Sequence, residues 1–386
     1  MAAEQNTTAD SGRPCLQYGP SPALRKPLLQ HYFFNDTVRL RPEVLQAWVA
    51  EIFCAVGMPR PDADLTAHTL MVADARGVHS HGCLRVSLYV KRIEKGAVDP
   101  RAQPETIRAQ GAVALVDGHN AAGQVVGRYA MDKAIALAEQ HGISFVTARN
   151  SNHYGAAAYY AMMASSRDMV GFSSSIGGGN LMAPYGAAER RIGNNPFSYA
   201  FPAGRYDPVV LDMAQSVVAK GKIIMAGKTG AQIPPDWALD AEGLPTTDPA
   251  AAIQGFLRTM GDYKGSGLSI VTGMLSSMLA GAAIGPTLRD VYEDFEPLNK
   301  GHAFSAIRID FLADLVEFKR NMDRQIEFIK QSKKAANTDE VFLPGEIEAR
   351  TCQRQMREGI AMPAEVVNEL VALSERLGVA LPPLAA

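Results

Sequence analysis

A serine, two histidines and an arginine lie within seven residues of one another in the segment "HSHGCLR". We predict that a helix begins here, with Ser80 near its first turn, and ends before Gly96. His81 and Arg85, four residues apart, then share one face of that helix, whereas His79 points elsewhere. Arg85 could hold a substrate carboxylate through two parallel hydrogen bonds, with Ser80 and His81 lining the same pocket. In the structural alternative, Ser80 caps the helix and Arg85 forms a surface ion pair.

A second polar segment, "NSNHYG", joins a predicted strand to a predicted helix and contains Asn152 and His153. Gly155, Ala156 and Ala157 follow with almost no side chain, so the free backbone N–H groups of the helix start should point outward. Such a helix end attracts phosphate or carboxylate and disfavours an imidazolium ion. We therefore expect His153 to be neutral and able to accept a proton. The alternative is that His153 simply caps the helix.

Three further positions place a charged group where a ligand could bind. Asp212 ends an apolar strand and could accept a hydrogen bond from a ribose or a nicotinamide amide, or could cap the next helix. Lys264 lies in "GDYKGSG", where a phosphate could approach the backbone, although a lysine next to glycine is often in a solvated turn. The segment "FLPGEIEAR" is typical of a strand, a turn and an ordinary capped helix.

Several common sequence motifs are missing. The chain has no GxGxxG after a strand, no GxxxxGK[ST] and no HExxH, which argues against an ordinary Rossmann cofactor site or a phosphate-binding loop. His79, His81, His119 and His153 could in principle hold a metal in a hydrolase. The two-residue spacing of the first pair suits a strand better than the predicted helix, and no acidic residue lies close in sequence. We therefore predict no metal site.

Composition limits the class of partner. The 386 residues carry a net charge of −2 and the isoelectric point is near 6.5, so no basic surface for nucleic acid or anionic membrane is expected. Four cysteines without metal-ligand spacing, and no secretory leader, are typical of a cytoplasmic protein without disulfides. The uncharged stretch 265–288 is rich in Gly and Ser, which favours a close-packed buried helix over a membrane span.

The order of elements predicts an α/β protein. Residues 1–37 are polar and Pro-rich, which is typical of a loosely ordered extension. Helices are predicted at about 42–56 and 64–76, and strands alternate with helices between 113 and 165. A strand-like, glycine-rich stretch follows up to residue 214, and the later segments 310–332 and 363–378 are amphipathic helices.

Eight segments in the same order resemble the malate/L-lactate dehydrogenases of the non-Rossmann type. This family includes ureidoglycolate and sulfolactate dehydrogenases and reductases of cyclic imino acids, and the segment "ADARGVHSHG" is most similar to the ureidoglycolate dehydrogenase branch. The matching segments are residues 73–96, 120–135, 150–161, 182–202, 211–223, 233–251, 263–282 and 342–346.

The resemblance implies an NAD(P)-dependent dehydrogenase of a small 2-hydroxy acid, acting as a homodimer on a small-molecule substrate. It implies a cofactor domain with a largely antiparallel sheet at 119–299 and a mainly helical substrate and dimerisation domain built from 38–118 and 300–386. It makes His153 the proton acceptor or donor, with Ser80, His81 and Arg85 holding the substrate. It also places NAD or NADP against nine residues: Ala157, Asp212, Met213, Ala214, Lys264, Gly265, Glu346, Ile347 and Glu348.

Two departures from the family pattern bear on the substrate. The alternative function is an NADPH-dependent reduction of a cyclic 2-imino acid or of a 2-oxo acid. Some relatives carry an acid where this chain has Lys222, which speaks against the imino-acid version of that alternative. The ureidoglycolate branch tends to supply an arginine near "EPLNKGHAF", where this chain offers Asn299 and Lys300. We therefore expect a changed contact to the distal part of the substrate. A catalytically inactive nucleotide-binding relative is a further alternative, which the retained polar residues disfavour.

Overall fold

The computed structural model describes residues 37–292 and 295–382. The predicted extension 1–37 lies outside the described residues except for Thr37, which begins a strand. The helices are α1 Pro42–Ala55, α2 Arg60–Ala75, α3 Val86–Glu94, α4 Gly123–His141, α5 Ala157–Ser165, α6 Lys220–Thr229, α7 Pro249–Gln254, α8 Tyr263–Gly273, α9 Leu315–Lys330, α10 Glu346–Glu358 and α11 Ala364–Leu377. The strands are β1 Thr37–Leu40, β2 Glu105–Gln110, β3 Val113–Asp117, β4 Phe145–Ser151, β5 Met169–Ser175, β6 Phe197–Phe201, β7 Val209–Met213, β8 Ala238–Leu239, β9 Phe256–Leu257, β10 Lys300–Arg308 and β11 Ile360–Pro363.

The first two helices differ in how far the local sequence pattern determines where they begin and end. Helix α1 begins at the predicted Pro42, because proline at the first position needs no N–H partner. Helix α2 begins at Arg60, four residues earlier than predicted, with Pro61 in its first turn. Its residues from Ala63 to Ala75 are all buried, so tertiary packing rather than an amphipathic pattern fixes its length.

A seven-stranded sheet forms the centre of the molecule, in the order β2-β3-β4-β10-β5-β6-β7. Only β3 and β4 pair in parallel, and α4 makes the crossover that a parallel pair requires. The other five neighbouring pairs are antiparallel. The predicted α/β class with a largely antiparallel sheet is confirmed.

The middle strand β10 is buried along most of its length. Its sequence contains both apolar and polar side chains, and the buried polar ones need partners inside the protein. The two ring nitrogens of His302 form hydrogen bonds with two serine hydroxyls: Nδ1 lies 2.9 Å from Ser175 Oγ, and Nε2 lies 2.8 Å from Ser151 Oγ. The ring also stacks on Tyr154, with the ring centroids 4.4 Å apart. Helix α5 packs tightly on the neighbouring strand, since a Cβ on Gly171 would lie 2.0 Å from the Ala161 carbonyl oxygen. The sheet and its helices therefore form a rigid support for the residues at their edges.

The two ends of the described chain meet in a small two-stranded sheet. Strands β1 and β11 pair antiparallel, and Trp48 Nε1 donates to Ser374 Oγ at 2.8 Å. The seven-stranded sheet crosses the predicted domain boundaries, because β2, β3 and β10 lie outside residues 119–299 but pair with each other and with strands inside that range. The division into domains stays a prediction.

Helix α8 and the π-helical turn Met274–Met278 that continues it are built the opposite way to an ordinary surface helix. The inward face carries small polar residues: Ser266, Ser269, Thr272, Ser276 and Ser277. The outward face carries exposed apolar side chains: Leu268, Val271, Met274, Met278 and Leu279. The prediction of a close-packed buried helix is therefore correct for one face and wrong for the other. Within residues 37–292 and 295–382, every helix is too short or too polar to cross a bilayer.

The cysteines differ from expectation at one position. Cys54 and Cys83 are free thiols, but Cys352 is disulfide-bonded. The expectation of a chain without disulfides is therefore wrong at Cys352.

Candidate active site

The segment from His79 to Arg85 forms two short 3₁₀ turns, His79–His81 and Cys83–Arg85, and the α-helix begins only at Val86. The predicted helix start is therefore wrong, and the Ser80 side chain caps nothing. The cause lies at Gly82, which is extended with φ −91° and ψ −149°. A Cβ there would lie 2.1 Å from an Asp74 carboxylate oxygen. The segment thus folds around that carboxylate instead of continuing α3.

Asp74 is the buried anchor of this turn. Its Oδ2 accepts from the Cys83 backbone N–H at 2.7 Å, and its Oδ1 lies 2.8 Å from His79 Nδ1. This hydrogen bond raises the pKa of His79. His79 is therefore held away from the other polar groups, as its predicted direction required.

His81 and His153 come together from two different parts of the chain. Their rings are nearly parallel, with centroids 5.5 Å apart and an interplanar angle of 22°. Burial lowers the pKa of His81 to about 4, and the Arg85 charge adds to the effect. Burial also lowers the pKa of His153 well below its usual value, with further contributions from His81, Arg85 and Lys300. Both imidazoles are therefore neutral at physiological pH, as predicted for His153, although burial rather than a helix end is the main cause.

Tyr89 is a site residue that the sequence reasoning missed. Its hydroxyl lies 2.6 Å from His153 Nδ1, so Nε2 is the ring nitrogen left for a ligand. Burial raises the pKa of Tyr89 to about 12, against the Arg85 charge, which lowers it. The phenol stays neutral and can both donate and accept. The available signal was its spacing, since Tyr89 follows Arg85 by one helical turn.

Arg85 lies at the edge of the same group. Its Nε donates to the Ser80 carbonyl oxygen at 2.6 Å, which ties the two predicted substrate residues together. Its Nη1 donates to the Tyr292 hydroxyl, and the guanidinium carbon lies 5.3 Å from the centre of that ring. The structure thus brings Ser80, His81, Arg85 and His153 into one cluster.

Asp212 closes the start of helix α5, beside the predicted cofactor residue Ala157. Its Oδ2 accepts from the Ala158 backbone N–H at 2.9 Å, so it caps this helix and not the helix that follows it in sequence. One of the N–H groups predicted to point at a ligand is therefore occupied. Asp212 is solvent-accessible, yet surrounding protein raises its pKa to about 6. Met213 and Ala214 follow at the half-buried end of the same strand.

The acidic start of helix α10 docks against strand β7. Val210 N donates to the Pro344 carbonyl oxygen at 3.0 Å, and a Cβ on Gly345 would lie 2.7 Å from the Val210 carbonyl oxygen. Glu346 lies within 2.6 Å of Lys330 and 2.5 Å of Arg350. That carboxylate is therefore engaged in ion pairs.

The two residues that follow Glu346 differ in their surroundings. The Ile347 side chain is exposed. Glu348 acts electrostatically on both Asp212 and Arg76, so it belongs to the same group of charges as Asp212. Arg76 is almost completely buried, and its guanidinium makes no hydrogen bond or ion pair with the other residues that the structure describes.

The predicted cofactor residues of helix α8 are linked to the end of β7 through backbone hydrogen bonds. Gly265 N donates to the Met260 carbonyl oxygen at 2.9 Å, and the Met260 N–H donates to Gln215 O, just after Ala214. The Lys264 side chain is exposed, with its ammonium 6.0 Å from the Tyr263 ring centre. No hydrogen bond or ion pair between described residues joins Lys264 to Asp212 or His153.

Asn299 and Lys300, the residues expected to change the distal contact to the substrate, both bond backbone groups. Asn299 Oδ1 accepts from the Asn150 backbone N–H at 2.8 Å. Lys300 is buried and donates through Nζ to the Gly177 carbonyl oxygen. Burial lowers its pKa to about 7. Lys222, the other departure, is exposed at the start of α6.

Comparison with known proteins identifies the chain's relatives. The sequence profile of the malate/L-lactate dehydrogenases matches residues 40–371. The chain belongs to the malate/L-lactate dehydrogenase family. As a member, it is an NAD(P)-dependent oxidoreductase of small 2-hydroxy acids.

Three relatives of known activity illustrate the range of the family. The chain is 35% identical to the L-sulfolactate dehydrogenase of Methanocaldococcus jannaschii, over 88% of its own length and 97% of the relative's. It is 36% identical to the malate dehydrogenase of Pyrococcus horikoshii, over 90% and 98%. It is 30% identical to the NAD⁺-dependent ureidoglycolate dehydrogenase of Escherichia coli, over 87% and 95%.

Solved structures of the family share the fold. The sulfolactate dehydrogenase superposes with a TM-score of 0.84 and the Pyrococcus malate dehydrogenase with 0.82, covering 89% and 91% of this chain and 98% of each relative. A δ1-piperideine-2-carboxylate reductase from Pseudomonas syringae is 25% identical, covers 87% of this chain and 99% of its own, and has a TM-score of 0.76. The dehydrogenases of the family therefore resemble this chain more than the reductase does.

Proposed function

We propose that His153 moves the hydroxyl proton in this family member, while a hydride passes between the substrate's C2 carbon and a nicotinamide ring. The observation that supports this role is the neutral, largely enclosed imidazole, whose Nδ1 is held by Tyr89 at 2.6 Å. In the oxidation of a 2-hydroxy acid, Nε2 accepts the hydroxyl proton as the hydride leaves the same carbon. In the reverse direction the imidazolium returns that proton to the oxygen of the 2-oxo acid.

Arg85 is proposed to hold the substrate carboxylate. Its Nε donates to the Ser80 carbonyl oxygen and its Nη1 to the Tyr292 hydroxyl, which leaves Nη2 and the second Nη1 hydrogen to meet a planar anion in a two-point contact. Fixing the carboxylate fixes the adjacent C2 carbon relative to His153, and such orientation contributes strongly to rate. His81, stacked on His153, and Ser80 would complete the wall of the pocket.

The nicotinamide cofactor is proposed to bind along the end of β7 and the starts of α5, α8 and α10. When bound, it supplies the hydride acceptor or donor. The donor set fits, because Asp212 and Glu348 offer carboxylate oxygens to ribose or amide groups, and Arg76 is a nearly buried cation that an anionic cofactor group would neutralise. The residues proposed to touch NAD or NADP are Ala157, Asp212, Met213, Ala214, Lys264, Gly265, Glu346, Ile347 and Glu348.

The protein is further proposed to act as a cytoplasmic homodimer. The outward face of α8 and the turn Met274–Met278 is apolar over several helical turns, with Val271 52% and Met278 53% exposed. A contiguous exposed apolar face in a soluble protein marks an interaction surface. A second copy of the same face is a self-complementary partner for it. This face lies within residues 119–299, outside the helical part built from both chain ends that the resemblance implies as the substrate and dimerisation domain. That helical part is proposed as the substrate region and is the alternative dimer interface.

Two variants test the catalytic roles with a panel of 2-hydroxy and 2-oxo acids, each assayed with NAD and NADP in both directions through the absorbance of the reduced nicotinamide. His153→Ala is expected to lower kcat by about 10²–10⁴ with cofactor affinity unchanged. Arg85→Ala is expected mainly to raise the substrate KM. His141→Ala, an exposed histidine at the end of α4, is the control. Near-normal kinetics in both test variants would overturn the assignment.

The same panel separates the alternative function. A reductase of cyclic 2-imino acids would turn over an imine with NADPH faster than any hydroxy acid with NAD. The likeness to the piperideine carboxylate reductase motivates this comparison, while the higher identity to the dehydrogenases favours hydroxy acid oxidation.

A further inference from the structure

A small cavity lies next to His153 and Tyr89. Residues of helices α1 to α4 line it. It measures about 20 Å³ as the space open to the centre of a water molecule, and one such molecule needs about 10–15 Å³ by that measure. Gln124 and Asn152 also line it. An apolar cavity of this size would stay dry, so the chemistry of these two amides decides what it holds.

Both amides are buried and incomplete. Gln124 is 1% exposed and Asn152 is 4% exposed, yet Gln124 Nε2 and Asn152 Oδ1 have no hydrogen-bond partner among the described residues. The orientation of Asn152 is fixed, since its Nδ2 donates to Asn120 O, Asn120 Oδ1 and Ala121 O at 2.9–3.2 Å. Gln124 is close enough to the Tyr89 hydroxyl to lower the pKa of Tyr89 by hydrogen bonding, yet its Nε2 reaches no partner at ordinary hydrogen-bond geometry among the described residues. Two buried amides, each with one unpaired polar atom, thus line the same small space, and leaving each atom unpaired costs about 1–3 kcal/mol.

We propose that this cavity binds one water molecule, which sets the direction of the hydrogen bond between Tyr89 and His153. The water accepts from Gln124 Nε2 and donates to Asn152 Oδ1. In the proposed arrangement the water also accepts from the Tyr89 hydroxyl, which turns that hydroxyl away from His153, so that His153 Nδ1–H donates to Tyr89. A water that gave its second hydrogen to Tyr89 would produce the opposite direction, which the tautomer measurement below distinguishes. Gln124 and Asn152 are therefore positioning residues for His153.

This direction matters for the proposed function, on which the inference rests. If His153 gives a proton from Nε2 or receives one there, the neutral form must carry its hydrogen on Nδ1, because the other tautomer has no free Nε2 lone pair. A Tyr89 hydroxyl that donated to Nδ1 would stabilise that wrong tautomer. The Gly155 backbone N–H, 3.4 Å from Nδ1, also favours it weakly. The water and Asn152 supply the acceptor that turns the tyrosine hydroxyl around.

Two measurements that need no turnover test the inference. A high-resolution crystal structure of the full chain should show density for one water within about 3.2 Å of both Gln124 Nε2 and Asn152 Oδ1. Long-range ¹⁵N NMR of histidine-labelled protein should show His153 mainly as the Nδ1–H tautomer, with the signal assigned by its loss in His153→Gln. A cavity without water density, or a main Nε2–H tautomer in the wild type, would overturn the proposal.

Gln124→Leu removes the donor that holds the water while keeping the volume of the side chain. We expect the Nε2–H tautomer of His153 to become the major form. Because only the fraction with Nδ1–H can accept the proton, kcat should fall about tenfold in proportion to that fraction, while the substrate KM should change less than twofold. Asn152→Ala should act the same way, but it also removes the anchors at Asn120 and Ala121. Thr66→Val is the matched control, because Thr66 lines the cavity while its hydroxyl bonds Met58 Sδ.

The control should leave both the tautomer and kcat unchanged. Wild-type tautomer populations in Gln124→Leu would contradict the proposed role of the water. Failure of the proposed function would instead appear as activity retained in His153→Ala, with the water density and tautomer results unaffected.

Discussion

Lys300 precedes His302 by two residues on the middle strand, and its positive charge adds to burial to lower the pKa of His302 to about 3. Burial likewise lowers the pKa of Lys300 itself to about 7. Both residues are almost completely inaccessible to solvent. The centre of the sheet therefore contains a lysine that is only partly protonated near neutral pH, next to a histidine that is neutral.

Replacing Lys300 should stabilise the protein. The unfolded chain binds a proton on this lysine up to about pH 10.5 whereas the folded chain releases it near pH 7, so the lysine makes stability rise with pH across that window. Lys300→Met removes the buried charge, and we expect a gain of about 1–3 kcal/mol in unfolding free energy at pH 7, shrinking towards pH 10. Denaturant unfolding at several pH values measures this. Lys222→Met, at an exposed position, is the control, and a less stable Lys300→Met at pH 7 would refute the expectation.

The three histidines of the turn and the active site should titrate differently. Because Asp74 raises the pKa of His79 while burial lowers those of His81 and His153, only His79 should become protonated above pH 6.5 as the pH falls. The unfolded chain protonates histidine near pH 6.5, so His81 and His153 lower stability as the pH drops from that value towards 4.

Proton NMR titration of the imidazole signals, assigned with His79→Asn, checks the order of the three pKa values. Arg85→Met should raise the pKa of both His81 and His153, because it removes a nearby positive charge. A His153 signal that titrates near pH 6.5 in the wild type would show that burial does not control this group.

The contact between α5 and β5 should tolerate no extra methyl group. A Cβ on Gly171 would lie 2.0 Å from the Ala161 carbonyl oxygen, which is backbone and cannot rotate away. We expect Gly171→Ala to destabilise the protein by about 1–3 kcal/mol or more through overpacking. Gly221→Ala, where a Cβ meets nothing within 4 Å in helix α6, should be neutral or slightly stabilising. Equal melting temperatures for the two variants would contradict the close packing.

The outward face of α8 should control assembly. Val271→Arg places a charge in the middle of the exposed apolar face and should convert the proposed dimer into monomer at micromolar concentration, as measured by sedimentation or light scattering. Val316→Arg changes an exposed valine on α9, 64% accessible, and should leave the mass unchanged. A wild-type protein that is monomeric at high concentration, or a Val271→Arg variant that stays dimeric, would exclude this face as the interface.

The sequence predicted most of the scaffold because local patterns decided it. Pro42 and the apolar repeat behind it fixed α1, and the alternation of strand and helix from 113 to 165 fixed the α/β class. The helix start at Ser80 was wrong because a distant side chain decided it: the Asp74 carboxylate packs against Gly82 and leaves no room for the expected geometry.

Within the site, the pairing of His81 with His153 followed from the family resemblance and not from spacing, since 72 residues separate them in the printed sequence. Tyr89 was not predicted as a site residue, because a tyrosine in a helix is usually a core residue. Lys300 and Asn299 were visible as departures from the family pattern, but their burial and their bonds to the backbone could be seen only in three dimensions.

Strand β10 fills the gap between β4 and β5, two strands that the ribosome completes more than a hundred residues earlier. Until residue 308 has been synthesised, each of those strands has an open hydrogen-bonding edge beside apolar side chains, a state that invites aggregation. Nascent chains of this protein should therefore stay protease-sensitive until late in translation. The same arrangement predicts that truncation before residue 300 leaves no stable half-molecule.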